Sequence, residues 1–167
     1  YGSDAMGGVL NVVEEKPAPL NTIQQNFNLK LLSNTLGVGA DYGIKQTNEK
    51  RWCRLRLGAE SNADYSSSRN HRVLNSRFAN YNLKASVGFK RKNRICVNNA
   101  YVSFSQFGFV FDSLSRKTED SRISRTFDGP HHSVLFCVLS TENIIYSGRT
   151  KFNINGGFIT NLRQEQE

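Results

Sequence analysis

A period of two constrains this chain more than any other feature. Phe27, Leu29 and Leu31 alternate with Asn28 and Lys30, and Leu36, Val38, Ala40, Tyr42 and Ile44 alternate with Gly37, Gly39, Asp41, Gly43 and Lys45. Extended backbone sends successive side chains to opposite faces, so each run specifies a strand with one apolar and one polar face. The pattern recurs as Cys53, Leu55, Leu57 and Ala59 against Arg54, Arg56 and Glu60, and as Tyr81, Leu83, Ala85, Val87 and Phe89 against Asn82, Lys84, Ser86, Gly88 and Lys90. It returns in Ala100, Val102 and Phe104, and in Phe152, Ile154 and Phe158, while Ser133 to Leu139 is apolar on both faces. The expectation is an all-β, antiparallel fold of about seven strands.

Strand length separates this chain from a soluble sandwich. Tyr81 to Phe89 spans about 26 Å of extended backbone, whereas a globular strand commonly needs five or six residues. It matches the ~25 Å apolar band of an outer-membrane barrel. The low mean hydropathy is compatible with this, because only alternate residues of such a strand meet lipid. Connections alternate in length: compact near 46–51, 90–94 and 140–149, longer near 61–77 and 106–132, with a tight reversal near 33–36 as the exception. Asn161 to Glu167 is expected to begin another loop. Trp52, at a strand end, suits a membrane interface.

The net charge of +8 raises the possibility of a nucleic-acid partner, but the 22 Lys and Arg residues are spread along the chain. Lys90-Arg91-Lys92-Asn93-Arg94 is the densest basic run, and it lacks an adjoining aromatic platform for stacking bases. It reads as a solvated turn, with no nucleic-acid partner. Cys53, Cys96 and Cys137 lie about 40 residues apart, without the close pairs of zinc or redox sites. Buried or lipid-facing thiols are the expectation, with a periplasmic disulfide between two of them as the alternative. There is no phosphate-cradling loop, nucleophile elbow or carboxylate pair, so neither an enzyme nor a cofactor is expected.

The opening string is Tyr1-Gly2-Ser3-Asp4-Ala5-Met6-Gly7-Gly8-Val9-Leu10-Asn11-Val12-Val13. Ser3 and Asp4 are good helix caps, and Gly7-Gly8 permits a bend before a β-branched strand. The string resembles the last segment of the plug domain of TonB-dependent outer-membrane receptors, with Tyr1, Gly2, Ser3, Asp4, Gly7 and Gly8 carrying the match. It departs where Glu14 and Glu15 replace the usual Thr-Lys or Lys-Lys. Lys16-Pro17-Ala18-Pro19 then breaks the strand and reads as a hinge. The resemblance implies residues 1–16 as the end of a plug, 17–25 as a linker, and 26–167 as the first strands, turns and external loops of a plugged transmembrane β-barrel of about 22 strands. The chain is thus expected to be a fragment that alone gives an open sheet. Also implied are the outer membrane of a Gram-negative bacterium, its lipid as surroundings, the protein TonB as energy-coupling partner, and a small-molecule or oligosaccharide ligand.

External loops are where such receptors catch ligands. Asp64, Tyr65 and Arg72, with Arg69, His71 and Arg77 nearby, form one polar surface, and Phe109 and Phe111 offer aromatic contacts at the start of the next loop. Asp128, His131 and His132 bring a carboxylate and two imidazoles within five residues. They could hold a metal only if the backbone were irregular, since adjacent side chains on a strand point to opposite sides. Two other readings stay open: a complete small outer-membrane barrel, and a soluble basic β-domain that binds polyanions.

Overall fold

The computed structural model describes residues 15–67, 72–110 and 123–166. Seven strands form one antiparallel sheet in chain order: β1 Thr22–Leu32, β2 Gly37–Thr47, β3 Arg51–Asn62, β4 Phe78–Arg91, β5 Arg94–Gly108, β6 His131–Ser147 and β7 Thr150–Gln166. Each strand pairs only with its chain neighbours, which leaves β1 and β7 as the two edges. The all-β expectation and the strand count hold. The chain enters through a turn in which the Thr22 hydroxyl donates to the Pro19 carbonyl at 2.8 Å and Asn21 takes a φ of 56°, a conformation asparagine tolerates. β1 therefore begins at Thr22, four residues ahead of the expected Asn26.

The pairing sorts side chains cleanly. Phe27 lies opposite Tyr42, Tyr42 opposite Leu57, Leu57 opposite Leu83, Leu83 opposite Val102, Val102 opposite Cys137 and Cys137 opposite Thr160. One face is thus apolar across all seven strands, and the same parity puts all three free cysteines on it. Arg54, Arg56, Lys84, Asn82 and Asp41 share the opposite face. That polar face is the more enclosed one: Arg54 and Ser86 are buried, while Leu55, Leu57, Leu83 and Val87 are exposed. Among the described residues the buried apolar side chains are three alanines, Ala18, Ala63 and Ala79. Among the described residues neither face carries a second layer, and none of them covers the apolar surface.

Four expectations need correction. The 140–149 segment is not a connection but the second half of β6, leaving only Gly148-Arg149 as a two-residue hairpin loop, with Gly148 at a φ of 59°. Val134, Phe136 and Val138 make β6 apolar on its second face, and Thr141 and Asn143 make it polar on its first, so the alternation that marks the other strands is masked there. Likewise Asn161 to Gln166 continues β7 instead of opening a loop. Leu36 lies in the 33–36 turn at a φ of 48°, not in the apolar row of β2. Trp52 points to the polar face, where its indole lies over Gly88; a Cβ on Gly88 would come 2.0 Å from the indole nitrogen. Its parity with Arg54 decides this.

Strands lengthen along the chain, from 11 residues in β1 to 17 in β7, and they do so mainly at one end. A single cross-strand row runs through Thr22, Thr47, Trp52, Gly88, Val97, Glu142 and Asn155. The β2–β3 hairpin closes on that row. The β4–β5 hairpin closes three residues beyond it, at Arg91–Arg94, and the β6–β7 hairpin five beyond it, at Ser147–Thr150. At the long-loop end the hairpins close almost level in the same rows, at Leu32–Gly37, Asn62–Phe78 and Gly108–His131.

Candidate functional site

Two features stand on the polar face and its long-loop end. The first is a hollow of about 340 Å³ over β1 to β4, floored by Gly39 and Gly58 and lined by Asn28, Lys30, Asp41 and Arg56. Its charges are paired across strands. Asp41 accepts from the Asn28 amide at 3.0 Å and from Arg56 at 3.3 Å, and Lys30 meets Glu60 at 3.1 Å. Beside it the entering chain is latched to the sheet. The Glu15 carboxylate contacts Lys45 at 2.9 Å and Arg56 at 3.0 Å, and Arg54 donates to the Glu15 carbonyl at 2.6 Å and to the Ser86 hydroxyl at 3.0 Å. Hydrogen bonding from Lys45, and then from Arg56, outweighs partial burial and holds the Glu15 carboxyl below the ordinary glutamate range.

The second feature is the frame of the long loops. Asp64 is 3% exposed, and its carboxylate accepts from the Ser76 and Arg77 backbone N–H groups, both at 2.9 Å, and from the Arg77 guanidinium at 2.9 and 3.1 Å. Arg72 donates to the Asp64 carbonyl at 2.6 Å. Asp64 and Arg72, expected at a ligand-catching surface, are therefore engaged in holding the loop, whereas the adjacent Tyr65 is exposed. Arg77 also reaches the Ser124 hydroxyl at 2.8 Å and the Thr126 carbonyl, and Arg125 reaches the Ser61 carbonyl at 2.7 Å and the Leu36 carbonyl. Asn75, at a φ of 62°, donates to the carbonyls of Phe109 and Pro130. One arginine pair and one asparagine tie three connections into a single cap.

Phe109 packs edge-on against His132 at 4.0 Å between ring centroids, with Phe107 at 5.3 Å. His132 also accepts from Arg163 at Nδ1, 2.7 Å, and its Nε2 faces Glu165 at 3.1 Å. The expected neighbours Asp128, His131 and His132 do not converge. His131 turns to the other side of β6 with its Nδ1 against the Gly129 carbonyl at 2.8 Å, and Asp128 accepts from the Thr126 hydroxyl at 2.7 Å. Phe111, His71, Arg69 and the opening residues Tyr1, Gly2, Ser3, Asp4, Gly7 and Gly8 lie outside the described residues.

Sequence reasoning did not find Asn75, Arg125, Arg163 or Glu165. For Asn75 the usable signal is a lone asparagine between Leu74 and Ser76 in a loop, the residue type that accepts a left-handed φ. Arg163 and Glu165 were hidden because the end of β7 reads as a polar tail. No known protein family, curated protein or solved structure matches this chain.

Proposed function

We propose that this chain is a stretch of wall from a TonB-dependent outer-membrane receptor, a transporter that takes up a scarce nutrient such as a metal–siderophore complex, cobalamin or an oligosaccharide. The apolar face meets lipid, the polar face lines a plugged lumen, and the long-loop end faces outward to capture ligand. TonB supplies the energy through parts of the receptor outside this chain. The Tyr1–Val13 string is the support for the family.

The observation that carries the membrane reading is that the apolar band runs oblique to the strand rows, in step with the short-turn hairpins. Leu31 and Val38 fill the row that further along holds Gln106, Ser133 and Gln164. At the other end, beyond the row of Thr22, the first residue of β1, the band continues through Phe89 and then through Ile145 and Phe152. Five residues of climb across the four strand spacings from β2–β3 to β6–β7, at ~3.3 Å per residue and ~4.8 Å per strand, correspond to a strand tilt of about 40°. Membrane barrels need 35–45°. A soluble sheet has no reason to tilt its apolar band and its short turns together. Among the described residues, two unpaired edges and an odd strand count favour a larger barrel over a small closed one.

The test follows ligand into cells. Cells expressing the intact protein, with and without functional TonB, are offered radiolabelled ferric siderophores, cobalamin and maltooligosaccharides. One class should accumulate, and only with TonB. Removing residues 112–122, which spares the Ser124–Thr126 anchor, should cut that uptake at least tenfold with assembly unchanged. TonB-independent uptake, or absence of the protein from the outer-membrane fraction, would overturn the proposal.

A further inference from the structure

At the short-turn end of the apolar face, Arg91 and Arg94 stand directly opposite each other as the last pair of the β4–β5 ladder. Like charges in that position destabilise a sheet. Among the described residues neither arginine has an ionic partner; Arg94 donates only to the neutral Asn143 amide oxygen, at 2.8 Å. Two rows inward Phe89 is exposed, with the Arg51 guanidinium 5.9 Å from its ring centroid. Lys50 and Lys92 complete a basic rim, and Glu49 is the acidic group among the residues lining it. The two arginines flank a hollow of about 300 Å³ with Phe89 and Cys96.

An apolar groove of about 570 Å³ lies further up the same face. Ala85, Ala100 and Gly156 give it a low floor, and Val87, Leu139 and Phe158 stand at its sides. Its near end lies four residues from Arg91, and its far end six, so it lies about 13 to 20 Å along the strands from the charged pair, or about 10 to 15 Å above it at a strand tilt of about 40°. That matches the hydrocarbon depth of one leaflet, ~15 Å. Charge below and a shallow apolar trough above suit one occupant.

We infer that this surface is a phospholipid site, in which Arg91 and Arg94 share the phosphate of an anionic lipid from the short-turn leaflet and one acyl chain lies over Gly156. The inference rests on the membrane reading above. A phosphate between the arginines replaces their mutual repulsion with two charge-assisted contacts. The exposed Phe89 then sits at headgroup level, as interfacial aromatics do.

The intact protein is reconstituted into phosphatidylcholine bilayers, and spin-labelled phosphatidylglycerol and phosphatidylcholine are compared by the fraction immobilised at the protein surface. Phosphatidylglycerol should be preferred several-fold. Arg91→Ala with Arg94→Ala should remove most of that preference, whereas Arg149→Ala, at a neighbouring turn, should leave it. Arg91→Lys with Arg94→Lys should retain part of it. Gly156→Leu, which fills the trough without touching charge, should shorten lipid residence. Flotation and heat-modifiable mobility monitor insertion independently. An inserted protein with no preference, or one that the double alanine variant leaves unchanged, overturns the lipid site alone; failure to insert overturns the membrane reading and this inference with it.

Discussion

At the scale of single residues, Glu15 shows how a departure from a familiar motif can acquire a role. A lysine at this position would face Lys45, Arg54 and Arg56, all on one patch of the polar face. Glutamate turns that repulsion into a latch that fixes where the chain enters the sheet. Its carboxyl is held below the ordinary value of about 4.3, so the charged form is the one the folded state prefers. The latch is fully present above that ordinary value and is lost as pH falls through the depressed one. Hydrogen exchange of residues 15–20 in the intact protein, corrected for intrinsic rate, should show protection at pH 6 that is lost as the pH falls through the depressed range of the Glu15 carboxyl. Glu15→Gln should lower protection at pH 6 and flatten the pH dependence. A pH-independent wild type would show that the backbone bond from Arg54 does the holding.

At the scale of the strand, β4 tests the sorting of faces. Leu83 lies between Leu57 and Val102, and its neighbour Asn82 between Gly58 and Ser103. Leu83→Arg should cost roughly 2–4 kcal/mol in folding titrations of the intact protein into vesicles, and Asn82→Arg about 1 kcal/mol or less. Equal costs would remove the assignment of lipid and lumen faces. The same contrast explains which elements could be read from sequence. β1 to β4 each keep one polar and one apolar row, so parity alone orients them, whereas β5 mixes Ile95, Val97 and Tyr101 into its polar row and Asn98 into its apolar one. β6 lost its period to Val134, Phe136 and Val138, and the end of β7 has Leu162 as its single strong apolar mark. Their strand character comes from the ladder with their neighbours, which no local pattern records. The loop frame was legible only as a cluster of polar residue types. Asp64 and Arg77 lie thirteen residues apart, and Asn75 bonds groups thirty-four and fifty-five residues away, distances over which composition carries no geometry.

At the scale of the whole molecule, two edges and an uncovered apolar face govern behaviour. Phe27, Leu29 and Leu31 on β1 and Phe158 and Leu162 on β7 are more than half exposed, beside backbone groups that among the described residues lack a strand partner. Residues 1–167 expressed alone should therefore aggregate in water and remain unclosed in detergent. A monodisperse monomer with a cooperative melt and a heat-modifiable gel shift would instead favour a complete small barrel.

The uneven strand lengths have an effect on the outline of the molecule. With the short turns set at one depth and the strands inclined at about 40°, the 11 residues of β1 rise about 28 Å and the 17 of β7 about 43 Å. On the membrane reading proposed above, the first hairpin would barely clear a bilayer's apolar layer, while the last would stand some 15 Å above the first as a parapet. Phe107, Phe109, His132, Arg163 and Glu165 all belong to that raised section, where on the same reading ionic side chains would incur no penalty from hydrocarbon. If that reading holds, a solute drifting toward the long-loop side would touch the tall flank first and the low one last, so its approach would be one-sided before any loop closes on it.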